Sequence, residues 1–267
     1  MTRAHGPLGQ SIRFRDHPDQ KSSFSFSQEN GPSQPMTYHL YIGDQTFSSW
    51  SMRGWLMFAK FGIPCDVTKV GLYSGTMAAD LAALAPARTV PVMTTPEGFV
   101  VTDSLAMAET LAEAHPAVDF YPADKAARAL CRSMVAEMHS SYAALRTACP
   151  MIVSHVSGGF SPSPAVLADL RRIESLWTLA RERHGADGPW LFGQYSLADV
   201  FFAPVAMRIV GYGLPVSGAA KRYVADHLSD AAIIAWRKAA SEEVHAPWPY
   251  PTDYSRLPWP DAAQFLG

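Results

Sequence analysis

The chain has 267 residues, 48% of them hydrophobic and 17% charged, with 22 Lys+Arg against 24 Asp+Glu for a formal net charge of −2. That balance is globular and long enough for two domains, and it supplies no broad basic field for a nucleic-acid backbone or an anionic membrane. The cysteines Cys65, Cys131 and Cys149 are dispersed and form no C-x-x-C, so neither a disulfide framework nor a zinc site is expected, and a reducing compartment fits.

Residues 1–36 are polar and lack the apolar centre of a signal peptide, which predicts a disordered tail or an extended start ending at Met36. Every apolar run is interrupted well short of the ~18 positions a membrane helix needs. Tyr38-His39-Leu40-Tyr41-Ile42 reads as a strand. A serine-rich entry, Ser48 to Ser51, then opens a helix that ends near Gly62, with Pro64 preventing its continuation. Asp66–Val70 predicts a second strand and Met77–Leu84 a short helix. Val90–Thr94 and Gly98–Val101 predict a strand pair, and Asp103-Ser104 opens a helix closed at His115-Pro116.

This β-α-β-α-β-β-α order occupies 37–116. Beyond Pro122 only helices are expected, over 123–246, before a Pro/aromatic tail at 247–267. Ala127, Leu130, Met134, Met138, Tyr142 and Leu145 recur at helical steps, which predicts one long helix running up to Pro150. Ser163-Pro164 starts a second helix that stops at His184-Gly185. Tyr195-Ser196-Leu197-Ala198-Asp199-Val200 has the form of a capping box with a hydrophobic staple. Ser196 and Asp199 are therefore assigned to folding rather than to catalysis.

Phe47-Ser48-Ser49-Trp50-Ser51-Met52-Arg53, Val90-Pro91-Val92, Asp103-Ser104-Leu105-Ala106 and Ala136-Glu137-Met138-His139-Ser140 occur in this order. Together they resemble the cytosolic glutathione S-transferases, in particular the bacterial S-S-W-S-x-R group near the zeta class. The resemblance covers about residues 38–240. It implies a thioredoxin-like N-terminal domain (βαβαββα) followed by an all-helical C-terminal domain. It also implies a cytoplasmic homodimer acting in detoxification, with glutathione as co-substrate and a small apolar electrophile as acceptor.

The chemistry implied is thiolate formation. A thiol with a pKa of about 8.5 is only slightly ionised at neutral pH, and a serine hydroxyl at a helix N-terminus favours its anion. By position Ser48 matches the family's activating serine, with Ser49 the close second; both also suit a plain helix cap. Trp50 stands where the zeta isomerases have cysteine, which removes support for isomerisation and for dithiol reduction. Asp103 is expected to pair with the γ-glutamyl ammonium and Ser104 with its carboxylate. Val90 is expected to read the cysteinyl backbone through its main chain, and Arg88 the glycyl carboxylate. Phe47, Trp50, Glu137 and Tyr142 are expected to border the acceptor's pocket, while His139 stays outside the catalytic set. A glutathione-dependent lyase, etherase or peroxidase, and a non-catalytic glutathione-binding module, are the alternative readings of the same residues.

Overall fold

The computed structural model describes residues 13–14, 37–185, 188–245, 248–250 and 253–267. A mixed sheet is built from β1 (Arg13–Phe14), β2 (Tyr38–Ile42), β3 (Cys65–Lys69), β4 (Val92–Thr94) and β5 (Val100–Val101), in the order β1-β3-β2-β4-β5. β3 pairs in parallel with both β1 and β2, whereas β4 runs antiparallel to β2 and β5. Leu40 lies opposite Val67 on one side and Met93 on the other, and all three are buried. The two residues of β1 fall within the segment expected as a tail, the rest of which lies outside the described residues.

Helix α1 (Ser49–Phe61) connects β2 to β3, the crossover a parallel pair requires. It stops at Gly62, whose φ of 68° puts it in the left-handed region favoured by glycine. A Cβ at Gly62 would meet no neighbouring atom, so Gly62→Ala should cost only the backbone penalty, about 1 kcal/mol, measurable by denaturant unfolding. Gly54, inside α1, has a different use. A Cβ there would lie 3.0 Å from Pro91, so its absence lets the helix approach the proline that precedes β4. The expected helix at Met77–Leu84 is shorter, α2 covering Met77–Asp80, and α3 spans Ser104–Ala114.

The second domain contains α4 (Lys125–Ser140), α5 (Ala143–Ala148), α6 (Pro164–His184), α7 (Leu197–Gly211), α8 (Gly218–Ser229) and α9 (Ala231–Ser241). Helix α7 is buried along its whole length and mostly apolar, as a central helix must be, with Asp199 and Arg208 its buried charged residues. Tertiary contacts decide two departures from the periodicity. The single helix expected up to Pro150 breaks at Ser141–Tyr142, where Tyr142 adopts φ 62°. Its hydroxyl donates to Glu137 Oε1 at 2.7 Å, while Asp169 Oδ2 on α6 accepts from the Leu145 amide at 2.9 Å. The break also lets the Arg146 guanidinium turn back onto the carbonyls of His139 and Ser141, each at 3.2 Å.

The helical domain also contains a small antiparallel ribbon, β6 (Val156–Gly158) with β7 (Ser255–Leu257), which the sequence does not predict. It fastens the C-terminal segment, and the closing helix α10 (Ala262–Leu266) packs against α8. Where the domains meet, Trp55 of α1 lies 5.4 Å from Trp236 of α9, whose indole donates to the Gln45 carbonyl at 2.8 Å. Lys60 pairs with Asp230 across the same interface and lies over the Tyr195 ring at 4.2 Å. No helix among the described residues is long and apolar enough to cross a membrane.

Candidate functional site

A cavity of about 660 Å3 opens where the first turn of α1 meets the helical domain. Its thioredoxin-like side is formed by Phe47, Ser48, Ser49, Trp50, Thr89 and Val90, and its far side includes Arg146, Thr147, Arg208 and Tyr250. The sequence places both serines correctly at a helix start, but their hydroxyls are used differently. Ser48 is the N-cap: its Oγ accepts from the Ser51 amide at 3.2 Å and its proton goes to Ser51 Oγ at 2.7 Å. Ser51 in turn accepts from the Gly43 amide at 3.0 Å, so Ser48 belongs to a closed local network. Ser49 Oγ accepts a 3.2 Å hydrogen bond from Nη2 of Arg208, which leaves its proton available to the cavity.

The loop entering α1 is held from the other domain. Glu243 accepts from the amides of Gln45 at 2.8 Å and Thr46 at 2.9 Å, and from the Thr46 hydroxyl at 3.0 Å. Lys69 and His245 flank the same carboxylate, and Asp44, Glu243 and His245 each bring a ligand-type atom within 4.8 Å of the others. Burial, reinforced by Glu243, pushes the Asp44 carboxyl above its ordinary value. Glu243→Ala would strand the Gln45 and Thr46 amides in a region that is mostly dry, while the Thr46 hydroxyl keeps the Ala240 carbonyl at 3.2 Å. A loss of about 2 kcal/mol is expected in thermal or urea unfolding, with α1's entry loop loosened.

The peptide bond from Val90 to Pro91 is cis, and Val90 lines the cavity beside Thr89. Arg88 is exposed and lies outside the cavity wall. Asp103 caps α3, its Oδ1 accepting from the Leu105 and Ala106 amides at 2.7 and 3.2 Å. Its second oxygen lies 3.3 Å from His139 Nε2. Burial lowers the His139 pKa, with Asp103 acting against that and Arg53 and Arg146 adding to it. The neighbouring Ser104 hydroxyl is fully buried and has no hydrogen-bond partner. An unpaired buried hydroxyl is costly, so a ligand acceptor there would relieve it.

Two residues expected at the acceptor's pocket sit elsewhere. Glu137 and Tyr142 are bonded to each other, Arg172 forks onto the Glu137 carboxylate at 2.8 Å through two nitrogens, and neither Glu137 nor Tyr142 lines the cavity. Their role is at the α4–α5 break. Phe47 and Trp50 do line the cavity. Phe47 also gathers Tyr73, Trp248 and Tyr250, with ring centroids 5.5, 5.0 and 5.4 Å away, and the Tyr73 and Tyr250 hydroxyls meet at 2.6 Å. The C-terminal segment therefore contributes to the mouth of the cavity. Arg146, Arg208, Tyr73 and Tyr250 carry no local motif in the sequence; only the assembled fold brings them to Ser49.

Residues 47–114 match the sequence model of the glutathione S-transferase N-terminal domain family. No curated protein matches the chain at a significant level. Among solved structures, the chain is similar to a glutathione transferase homolog from Burkholderia with bound glutathione, at 23% identity and TM-score 0.58, covering 78% of this chain and 100% of that one. It is similar as well to a diazinon-metabolizing glutathione S-transferase of the silkworm Bombyx mori, at 18% identity and TM-score 0.60, covering 79% and 100%. Glutathione transferase Omega 2S from Trametes versicolor, in complex with 2,4-dihydroxybenzophenone, gives 19% identity and TM-score 0.58 over 77% and 96%. At these identities the likeness establishes the fold, a thioredoxin-like domain followed by a helical one. Residues 47–114 thus form a glutathione S-transferase N-terminal domain, and the chain as a whole has the thioredoxin-like-plus-helical fold of the cytosolic glutathione S-transferases.

Proposed function

We propose that the protein is a glutathione transferase which holds the glutathione thiolate at Ser49 and presents it to an aromatic electrophile. The observation that carries this reading is the pairing of a cavity-facing serine hydroxyl, its proton unspent, with a buried arginine 3.2 Å behind it. A hydroxyl that already accepts from a cation donates its own proton more strongly. The unpaired amides and positive end of α1 add to the stabilisation of an anion there. Ser48, bonded to Ser51, orders the helix start and stands second as a donor to sulfur.

Glutathione bound to the Burkholderia homolog supports the same ligand here. Its cysteinyl backbone would pair with the main chain of Val90, and its γ-glutamyl end would meet Asp103 and the unpaired Ser104 hydroxyl. Exposed Arg88 and Thr89 are within the sequence segment that would face the glycyl carboxylate. Phe47, Trp50, Tyr73 and Tyr250 provide aromatic walls for the acceptor. Catalysis then consists of positioning and thiolate stabilisation rather than proton abstraction by a base. The homodimer and the cytoplasmic setting implied by the resemblance belong to this reading and are checked by light scattering and cell fractionation.

Two measurements test it: retention on immobilised glutathione, and conjugation of chlorodinitrobenzene followed with the thiolate's ultraviolet absorbance. Retention, turnover and a thiolate signal near neutral pH are expected. Retention without a thiolate signal or turnover would instead indicate a non-catalytic binding module.

A further inference from the structure

Three guanidiniums converge around Trp50 and Ser49. The Cζ atoms of Arg53 and Arg146 lie 4.5 and 4.2 Å from the Trp50 ring centroid, and Arg208 bonds Ser49. Arg53 and Arg208 are buried, at 2% and 4% exposure. Among the described residues none of the three forms a salt bridge. Arg146 bonds only the carbonyls of His139 and Ser141, and Arg208 those of Cys149 and Pro204 besides Ser49. Nε and Nη1 of Arg53 are buried with no hydrogen-bond partner at all.

Burial, followed by the mutual repulsion of the cluster, brings Arg53 down to about 9 and Arg208 down to about 10. Burial also lowers Arg146. Asp103 gives the one opposing attraction at Arg53, and His139 faces the cluster from α4. Three like charges with no salt-bridged anion among the described residues are unfavourable unless an anion arrives.

The cavity is where it can arrive. Its lining contains Arg146 and Arg208 and, among the described residues, neither aspartate nor glutamate. The glutathione thiolate would supply one negative charge, at Ser49 beside Arg208. Arg146, set on the helical-domain wall next to Thr147 and opposite Phe47 and Val90, is left facing the other substrate. We propose that the acceptor is an aromatic acid whose carboxylate is bound by Arg146, its ring lying among Phe47, Tyr73 and Tyr250. The chemical step assigned to it rests on the transferase reading; the anion site does not. With a halogenated ring the thiolate sulfur forms a C–S bond, the carbon–chlorine bond breaks with its electron pair leaving as chloride, and the thiol proton is released to solvent.

The test compares chloronitrobenzoate with chloronitrobenzamide, each rate corrected for its reaction with free glutathione. The wild type should favour the acid at least 10-fold in kcat/KM. Arg146→Gln should raise KM for the acid about 30-fold with little change in kcat, the pattern of lost ground-state binding. KM for the amide should rise far less than that for the acid, and Arg146→Lys should recover part of the preference. A binding arm needs no turnover: nitrobenzoate and nitrobenzamide are titrated into protein saturated with S-methylglutathione, following tryptophan fluorescence. Tighter binding of the acid, lost in Arg146→Gln, supports the site even if neither chloro compound is conjugated, a result that would overturn the transferase reading alone. Equal binding of acid and amide by the wild type overturns the proposal, and so does a preference that survives Arg146→Gln.

Discussion

Ser49→Ala should lower kcat/KM for glutathione conjugation about 100-fold, the usual loss when one preorganised donor to a developing anion is removed. The bound thiol's pKa should move back toward about 8.5, visible as a rightward shift of the thiolate absorbance titration. The effect is expected at Ser49 because its proton has no acceptor within the described protein while Arg208 fixes its oxygen. Ser48→Ala should behave differently, losing the cap on α1 at a cost of about 1 kcal/mol and slowing the reaction only a few-fold. If Ser48→Ala shows the large loss and the shifted titration while Ser49→Ala retains its rate, the two roles are exchanged. Ser51 would then release the Ser48 proton when glutathione binds.

The largest effect on stability is expected at Asp199, which is fully buried at the start of α7. Its Oδ1 accepts from the Leu191 amide at 3.1 Å and the Tyr223 hydroxyl at 3.0 Å. Its Oδ2 accepts from the amide and the hydroxyl of Ser196 at 2.9 and 3.1 Å. Asp199→Ala leaves these donors in a dry interior, and a loss on the order of 4 kcal/mol is expected in urea unfolding. The same carboxylate gives a pH signature. Burial, partly offset by its hydrogen bonds, raises its pKa from 3.8 to about 6. The folded state therefore binds the proton more tightly than the unfolded chain does. This contribution is fully present below 3.8 and is lost as pH rises through about 6. Asp199→Asn should abolish that part of the pH slope. A slope unchanged in the variant would assign it to other groups.

The sequence by itself determined the elements whose signals are local. Ser48-Ser49 before an apolar helix, Pro91 ahead of a strand, Asp103 at the start of α3 and the box of Ser196 and Asp199 are each written within a few residues, because a cap or a turn satisfies its own neighbours' amides. The order of strands and helices followed, and with it the thioredoxin-like domain and the helical one. Periodicity failed where distant groups outbid it: Glu137, Arg172 and Asp169 hold the chain at Tyr142 in a bend that an amphipathic pattern does not reveal. The ribbon of β6 and β7 escaped for a similar reason, since short strands about a hundred residues apart share no local period.

The tertiary structure alone decided how the site is charged. Ser49 and Arg208 are 159 residues apart in the chain, and Arg53, Arg146 and Arg208 come from three helices with no common motif. Arg146 and Arg208 read in sequence as ordinary solvated cations and Arg53 only as the last residue of the S-S-W-S-x-R run, and the net charge of −2 gives no hint of a positive cavity. Packing α1 against α7, with α5 turned back at its start, removes water from around these guanidiniums and brings Arg53 and Arg146 over the Trp50 indole, with Arg208 beside it on Ser49. Desolvation and proximity, which exist only in the folded chain, turn three unremarkable arginines into a local field for an anion.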